Sequence, residues 1–250
     1  MSLYCKFKND NDVLIKLIDH PFTANFCLRD NHEVMFRRIN TFLINNNIIK
    51  KNIIDLGAWI GDNSIPWAKN IKDIVYAIDP SHDNCEYIRS ICKINEIENV
   101  SVLQYAISYT NELLSTNENL HHCSFVYNNP GKTGINKLNA VSLDYLHDQN
   151  KIENIGYIHL DVEGMEHKVL QGSVNIIEKY RPIITFEQHL EIDDYSVIST
   201  FLKDRNYKVF LIDELLPGCR PDCRNSIAFP DKSYEKEINE HIGRKILLPK

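Results

Sequence analysis

The segment His159-Leu160-Asp161-Val162-Glu163-Gly164-Met165-Glu166 puts three carboxyl groups within six residues, at the end of an apolar run that reads as a buried strand. Like charges that close raise one another's pKa, which suits a proton acceptor or a metal ligand. Glu166, and to a lesser degree Glu163, also fits the start of a following helix, where negative charge is favoured. Further on, the run Ile183 to Phe186 ends in a second polar cluster, Glu187-Gln188-His189. Asp161 is the first candidate for a base or base-orienter, Glu163 and Glu187 come next, and His189 and His159 are alternative bases. His159 is expected on the other face of its strand relative to the neighbours of Asp161, and so ranks below His189. Asp161 with Glu187 and Gln188 would also suit Mg²⁺ as hard oxygen donors; no metal is assigned on that ground. Cys219 and Cys223 are spaced as half a zinc site, but no second pair lies nearby, so no structural zinc is expected.

A second group of residues points to a nucleoside. Asp55-Leu56-Gly57-Ala58-Trp59-Ile60-Gly61 follows the apolar run Asn52 to Leu56 and precedes a helical stretch. Gly57 permits a sharp turn after the strand, and Gly61 lets the next helix begin close to a ligand. A plain tight turn explains the glycines equally well. The spacing is D-x-G-x-x-x-G, which differs from the dinucleotide fingerprint, and its acid would repel a pyrophosphate while attracting a sulfonium or ammonium group. Asp79 ends the next strand, about 20 residues beyond the glycine loop, where a carboxylate in a doubly wound sheet meets ribose hydroxyls. Its other reading is a turn residue before Pro80.

These residues need a frame that brings strand ends together. The runs 52–56, 74–78, 100–105, 156–160, 183–186 and 207–212 read as strands, separated by helical patterns over 62–70, 84–95, 142–151, 166–180 and 195–205. Ser81 is placed to cap the second of these helices. Alternation of this kind gives parallel βαβ units. The fold expected is α/β, a doubly wound, mostly parallel seven-stranded sheet with helices on both faces. Its last strand, 224–229, should be antiparallel at or near the sheet edge. One domain spans 1–250. It comprises a helical lead-in over 1–50, a Rossmann-like core over 51–230 with a loop or hairpin insertion at 109–139 facing the site, and a peripheral tail over 231–250.

The order IIDLGAWIGDNS, VYAIDPS, NVSVLQYAIS, AVSLDYL, IGYIHLDVEGMEHKVLQGS and RPIITFEQ resembles the FkbM-type methyltransferases, over roughly 33–229. The resemblance implies a class I enzyme that uses S-adenosylmethionine, typically to O-methylate sugars, polyketides or other secondary metabolites. It implies that Asp55, Gly57, Ala58 and Gly61 line the methionine and ribose side, with Asn63 and Ser64 helping. Asp79 would hold the ribose diol, Pro80 and Ser81 would lie beside the adenine, and Ala106 and Ile107 would flank it. Glu33 resembles the acidic residue upstream of the glycine loop. Asp161, Glu163 and Glu187 would face the transferring methyl group. Trp59 departs from the family, which usually carries Asn there, and its indole would reshape the pocket near the methionine portion.

Composition narrows the alternatives. The 250 residues carry a formal net charge of −6, which disfavours a broad nucleic-acid footprint. No apolar run reaches the ~20 residues of a membrane span. The first residues lack the pattern of a signal peptide, and seven scattered cysteines suit reduced thiols, so a cytoplasmic setting is expected. The acceptor expected is a small molecule or glycan, foremost a sugar, for which Asn128, Asn129, Lys132 and Thr133 offer hydrogen bonds. Rival readings are a nucleotide-dependent oxidoreductase on the same sheet and a non-catalytic cofactor-binding domain. Glycine spacing speaks against the first, and the rim carboxylates against the second.

Overall fold

The computed structural model describes residues 3–116, 136–189, 195–214 and 223–250. Asn128, Asn129, Lys132, Thr133 and Cys219 lie outside them. The chain opens with a hairpin of β1 (Leu3–Phe7) and β2 (Val13–Leu17), then α1 (Thr23–Leu28), a 3-10 turn over Arg29–Asn31 and α2 (Val34–Asn45). The lead-in is therefore partly β. Its strands alternate buried Cys5, Phe7, Ile15 and Leu17 with outward residues, and those side chains pack with Phe26 on α1. That period-two pattern is short and sits among polar neighbours.

The core continues as β3 (Asn52–Leu56), α3 (Ser64–Asn70), β4 (Val75–Ile78), α4 (His82–Ile94) and β5 (Val100–Leu103). Ser81 caps α4, its side chain accepting from Asn84 N–H at 3.3 Å. After β6 (Ala106–Ile107), strands β7 (Glu112–Thr116) and β8 (Asn136–Val141) pair antiparallel, and β6 joins β8 in a separate three-stranded sheet. This is the base of the expected hairpin insertion; residues 117–135 lie outside the described ones. Next come α5 (Leu143–Asp148), β9 (Ile155–Leu160), α6 (Glu166–Gln171), α7 (Val174–Tyr180), β10 (Ile183–His189), α8 (Tyr195–Lys203), β11 (Lys208–Ile212) and β12 (Cys223–Phe229). The single helix expected over 166–180 is broken at Gly172. A Cβ there would lie 2.3 Å from the Ser108 carbonyl oxygen and 2.8 Å from Tyr109 Cα, so this turn exists to let another chain segment pass.

The main sheet has the order β13-β11-β12-β10-β9-β3-β4-β5. Strands β10, β9, β3, β4 and β5 run parallel. β12 is antiparallel to both neighbours, as expected, but it lies inside the sheet between β10 and β11. The tail, expected to be peripheral, supplies α9 (Glu235–Ile242) and the eighth strand β13 (Leu247–Pro249), burying Ile238, Ile246 and Leu247 completely. One face of the sheet carries Leu56, Ile158, Leu160, Ile184 and Phe186 against α5 to α8. On the other, Ile53, Val75, Tyr157 and Ile183 pack against α2, Trp67 of α3 and α9. Among the described residues no helix is long and apolar enough to cross a membrane.

Candidate active site

Register sets the site. The last residues paired between the parallel strands β4, β3, β9 and β10 are Ile78, Leu56, Leu160 and Phe186, all on one level; β10 alone runs on to His189, paired with β12. The next residue of each strand is Asp79, Gly57, Asp161 and Glu187. Four consecutive strands, spaced about 4.8 Å apart, thus present three carboxyl groups and one glycine in a row at their carboxyl ends. Residues on one level point to one face, so the three acids share a side. Ligands in open α/β sheets bind at this edge.

At the β3 end, Gly57 takes φ +75°, and a Cβ on it would stand 1.8 Å from the Asp161 carbonyl oxygen. The glycine is needed because the β9 backbone crosses there. Gly61, at φ +78°, faces Ile65 and Ile88, 2.9 and 3.0 Å from where its Cβ would be. It therefore lets α3 approach α4, and its expected role beside a ligand is not what this packing serves. Trp59 has φ +44°, a left-handed conformation that Asn adopts easily and a bulky indole does not. The Trp59 backbone N–H donates to Asp79 Oδ2 at 2.9 Å, which couples the glycine loop to β4.

Asp79 is buried and held by three donors. Besides Trp59, Ser81 N–H and Asn84 Nδ2 donate to Oδ1 at 2.8 and 3.0 Å. Burial pushes its carboxyl up to about 6, against the pull of these hydrogen bonds. Asp55 lies one rung below Gly57. It accepts a short hydrogen bond from Ser64 Oγ, and burial, reinforced by the charge of Asp62, pushes it up to about 7. Ser64 is thereby spent on Asp55. Asp55 Oδ1, Asn63 Oδ1 and Asn84 Oδ1 are buried oxygens without a hydrogen-bond partner. They lie on β3, at the start of α3 and in the first turn of α4, and each is a buried acceptor that a donor could satisfy. Ala58 is buried beside them, and Pro80 is partly exposed at the rim. Ala106 and Ile107 are turned away, packed with Leu114 and Ala140 in the core under the small sheet.

At the β9 and β10 ends, Asp161 and Glu187 share a side-chain hydrogen bond. Burial, then the charges of Glu33 and Glu163, raise the Asp161 carboxyl well above the carboxylate range; Arg29 and the bond to Glu187 oppose this only in part. His189 is buried between acids and a thiol. Its Nε2 stands 3.5 Å from Glu163 Oε2 and 3.6 Å from Glu187 Oε2, and its Nδ1 is 3.3 Å from Cys223 Sγ. Glu163, about one-third exposed and at φ +54°, is the member nearest solvent. Glu166 is not part of this row. Its Oε1 accepts from Val162 N–H at 2.9 Å and caps the start of α6, the helix-end reading.

Strand geometry places two of the expected residues away from the row. His159 pairs with Asp55 and Thr185, so period-two alternation places it on the same face as Asp161, one rung deeper. There it contacts Thr185 Oγ1 at 3.0 Å and the Phe36 and Trp67 rings, and burial presses its pKa down to about 4. A neutral, enclosed imidazole supports the core and is no rim base. Gln188 alternates to the opposite face, where Lys250 Nζ donates to its Oε1. It cannot join Asp161 in a hard-oxygen Mg²⁺ site.

Sequence reading missed the ionic floor of the site. Arg29 Nε donates to Asp62 Oδ2 at 2.5 Å and Nη2 to Glu33 Oε2 at 2.8 Å. The fully buried Arg37 adds Nη2 to Asp62 at 3.0 Å and lies 3.6 Å from Asp10. Asn225 Nδ2 donates to the other oxygen of Glu33 at 2.9 Å. Burial opposes charge on Asp62 and Glu33, but the two guanidinium groups prevail and hold both below their usual values. Glu33, expected at the cofactor, is thus tied to Arg29 and Asn225 beside Asp161. Arg37, standing within an apolar helical stripe, was the available signal.

A model of the methyltransferase FkbM domain matches residues 55–209. A methyltransferase FkbM structure from Methylobacillus flagellatus KT is similar, with 15% identity and a TM-score of 0.53, covering 71% of this chain. This chain spans 43% of that one. An rRNA methylase from Streptococcus thermophilus aligns with 10% identity and a TM-score of 0.50, covering 79% of this chain and 96% of its own. At these identities the structures establish the fold. No curated protein sequence matches the chain.

Proposed function

The chain belongs to the FkbM methyltransferase family, and from that premise we propose that it transfers a methyl group from S-adenosylmethionine to a hydroxyl of a small molecule or glycan, foremost a sugar. The observation that carries this reading is the single row Asp79, Gly57, Asp161 and Glu187. It sets a nucleoside-holding acid at one end and a proton-accepting pair at the other. The net charge of −6 favours a small acceptor over a nucleic acid.

The residues present fit the nucleoside. Asp79, anchored by Trp59, Ser81 and Asn84, keeps lone pairs for a ribose diol. Gly57 and Ala58 offer backbone, and the unpartnered oxygens of Asp55 and Asn63 suit a cationic amino acid end. Bound there, S-adenosylmethionine supplies a methyl group already activated by its sulfonium. What remains for the protein is to hold an acceptor oxygen about 3 Å from that carbon and to receive its proton. A sugar hydroxyl is a weak acid and needs a base of raised pKa. The Asp161–Glu187 pair provides one, with Glu163 on its solvent side. Buried Arg29, near Asp161, balances the developing charge.

Transfer of a labelled methyl group to a panel of monosaccharides and glycosides, with and without chelator, tests the reading. Labelled methyl ether on a sugar is the expected product. Transfer only to RNA, or to no acceptor while S-adenosylhomocysteine binds, overturns the assignment of the acceptor.

A further inference from the structure

The acceptor end of the row holds a second constellation. One ligand atom from each of Glu187, His189 and Cys223 lies within 4.8 Å of the other two, and all three residues are buried. Pairing explains the convergence. His189 stands directly opposite Cys223 across β10 and β12, and Glu187 is two residues back on β10, so alternation puts all three on one face. Two hydrogen-bonded strands hold them, which is a stiffer support than loops provide.

We propose that Glu187, His189 and Cys223 form a binding site for a divalent cation of the zinc class, placed at the acceptor end of the active site. The donor set is one carboxylate oxygen, one imidazole nitrogen and one thiolate, a mixture that suits zinc and excludes magnesium, which takes oxygen ligands. Nδ1 faces the sulfur of Cys223 at 3.3 Å, and Nε2 stands 3.5 Å from Glu163 Oε2 and 3.6 Å from Glu187 Oε2. A metal-bound histidine usually donates its other N–H to a carboxylate, which fixes the tautomer, and Glu163 is in that place. With the three ligand atoms within 4.8 Å of one another, a tetrahedral zinc about 2.0–2.3 Å from each needs Cys223 and His189 to close slightly and the Glu187 carboxylate to turn from the Nε2 side toward Nδ1. Three protein ligands leave a fourth position open, as in catalytic zinc sites. Glu163 adds negative charge beside it, which a cation offsets. A cation there would take the place of the proton between Asp161 and Glu187, and would bind an acceptor hydroxyl and acidify it. That role rests on the methyl-transfer reading; binding of the ion does not.

Cobalt alone, titrated into the chelator-treated full chain, tests the site by absorption. The expected result is one equivalent bound, with a thiolate-to-cobalt charge-transfer band and tetrahedral visible bands, both removed by zinc. Cys223→Ser should abolish the charge-transfer band, and His189→Gln should weaken binding at least tenfold, while Cys27→Ser changes neither. Glu187→Gln gives a second check if Cys223→Ser does not fold: the band should persist with affinity at least tenfold lower. Absence of the band in the unaltered protein, or a band unchanged in Cys223→Ser, overturns the site, as does full affinity in Glu187→Gln. S-adenosylhomocysteine binding is measured on the same samples. Its failure with an intact cobalt spectrum removes the methyltransferase reading and leaves the metal site standing, and the reverse holds.

Discussion

Asp161 and Glu187 stand side by side on adjacent parallel strands, each one residue beyond the paired Leu160 and Phe186, and they share a hydrogen bond. Two carboxyl groups can do so only with a proton between them. Arg29 and Glu33 lie close enough to bias it in opposite directions. The same row continues through Gly57 to Asp79.

Removing the base should separate chemistry from binding. Asp161→Asn keeps the size and hydrogen bonding of the side chain but not its proton affinity. Turnover should fall by about 10²-fold or more, in the range of a lost general base, with the Kd for S-adenosylhomocysteine changed less than about threefold. Steady-state transfer and calorimetric titration of one preparation check this. Loss of binding instead would place Asp161 on the cofactor.

Asp55 gives a pH signature. Its carboxyl is raised to about 7 in the fold from an ordinary value of 3.8, so the fold favours the protonated form. That contribution is complete below about 3.8 and disappears as the pH rises through about 7. Asp55→Asn lacks the titration. Between pH 5.5 and 8 the variant should gain on the parent by on the order of 2 kcal/mol, a few degrees in Tm. Thermal melts at the two pH values decide it, and a constant gap would contradict the burial of a titrating acid.

The two loop glycines should differ in cost. Gly57→Ala drives a Cβ into a backbone carbonyl, and Gly61→Ala meets only the side chains of Ile65 and Ile88. Both pay for a positive φ, about 1 kcal/mol or more. Denaturant unfolding should show Gly61→Ala destabilised by about 1–3 kcal/mol and Gly57→Ala distinctly more, or failing to fold. Equal costs would mean that the β9 backbone does not cross there.

Arg37→Ala should be costly for an electrostatic reason. The guanidinium is fully buried and serves Asp62 and Asp10. Its removal strands Asp10 and leaves Asp62 with Arg29 alone, a loss of about 3–5 kcal/mol. Acidification should recover part of it as those carboxylates protonate. A loss that is independent of pH would point to packing alone.

Local chemistry was legible in the amino-acid sequence wherever one segment contains the whole signal. Ser81 at a helix start, Asp79 at a strand end and the Asp161-Glu163 cluster are of this kind, and so is the alternation that implies the sheet. Long-range pairing was not. Arg29 and Glu33 find Asp62 and Asn225 only after folding, and Cys223 meets His189 through a register between strands. The tail was misjudged because Ile246 and Leu247 make a strand only against β11. Gln188 was misplaced, because alternation turns it away from the face of Glu187.

S-adenosylhomocysteine titrated calorimetrically into the parent, Asp79→Ala and Asp161→Asn proteins tests the division of labour along the row most directly. Binding should weaken at least tenfold in Asp79→Ala and persist in Asp161→Asn, with melting curves confirming that both are folded. Undiminished binding by a folded Asp79→Ala protein would show that the nucleoside sits elsewhere.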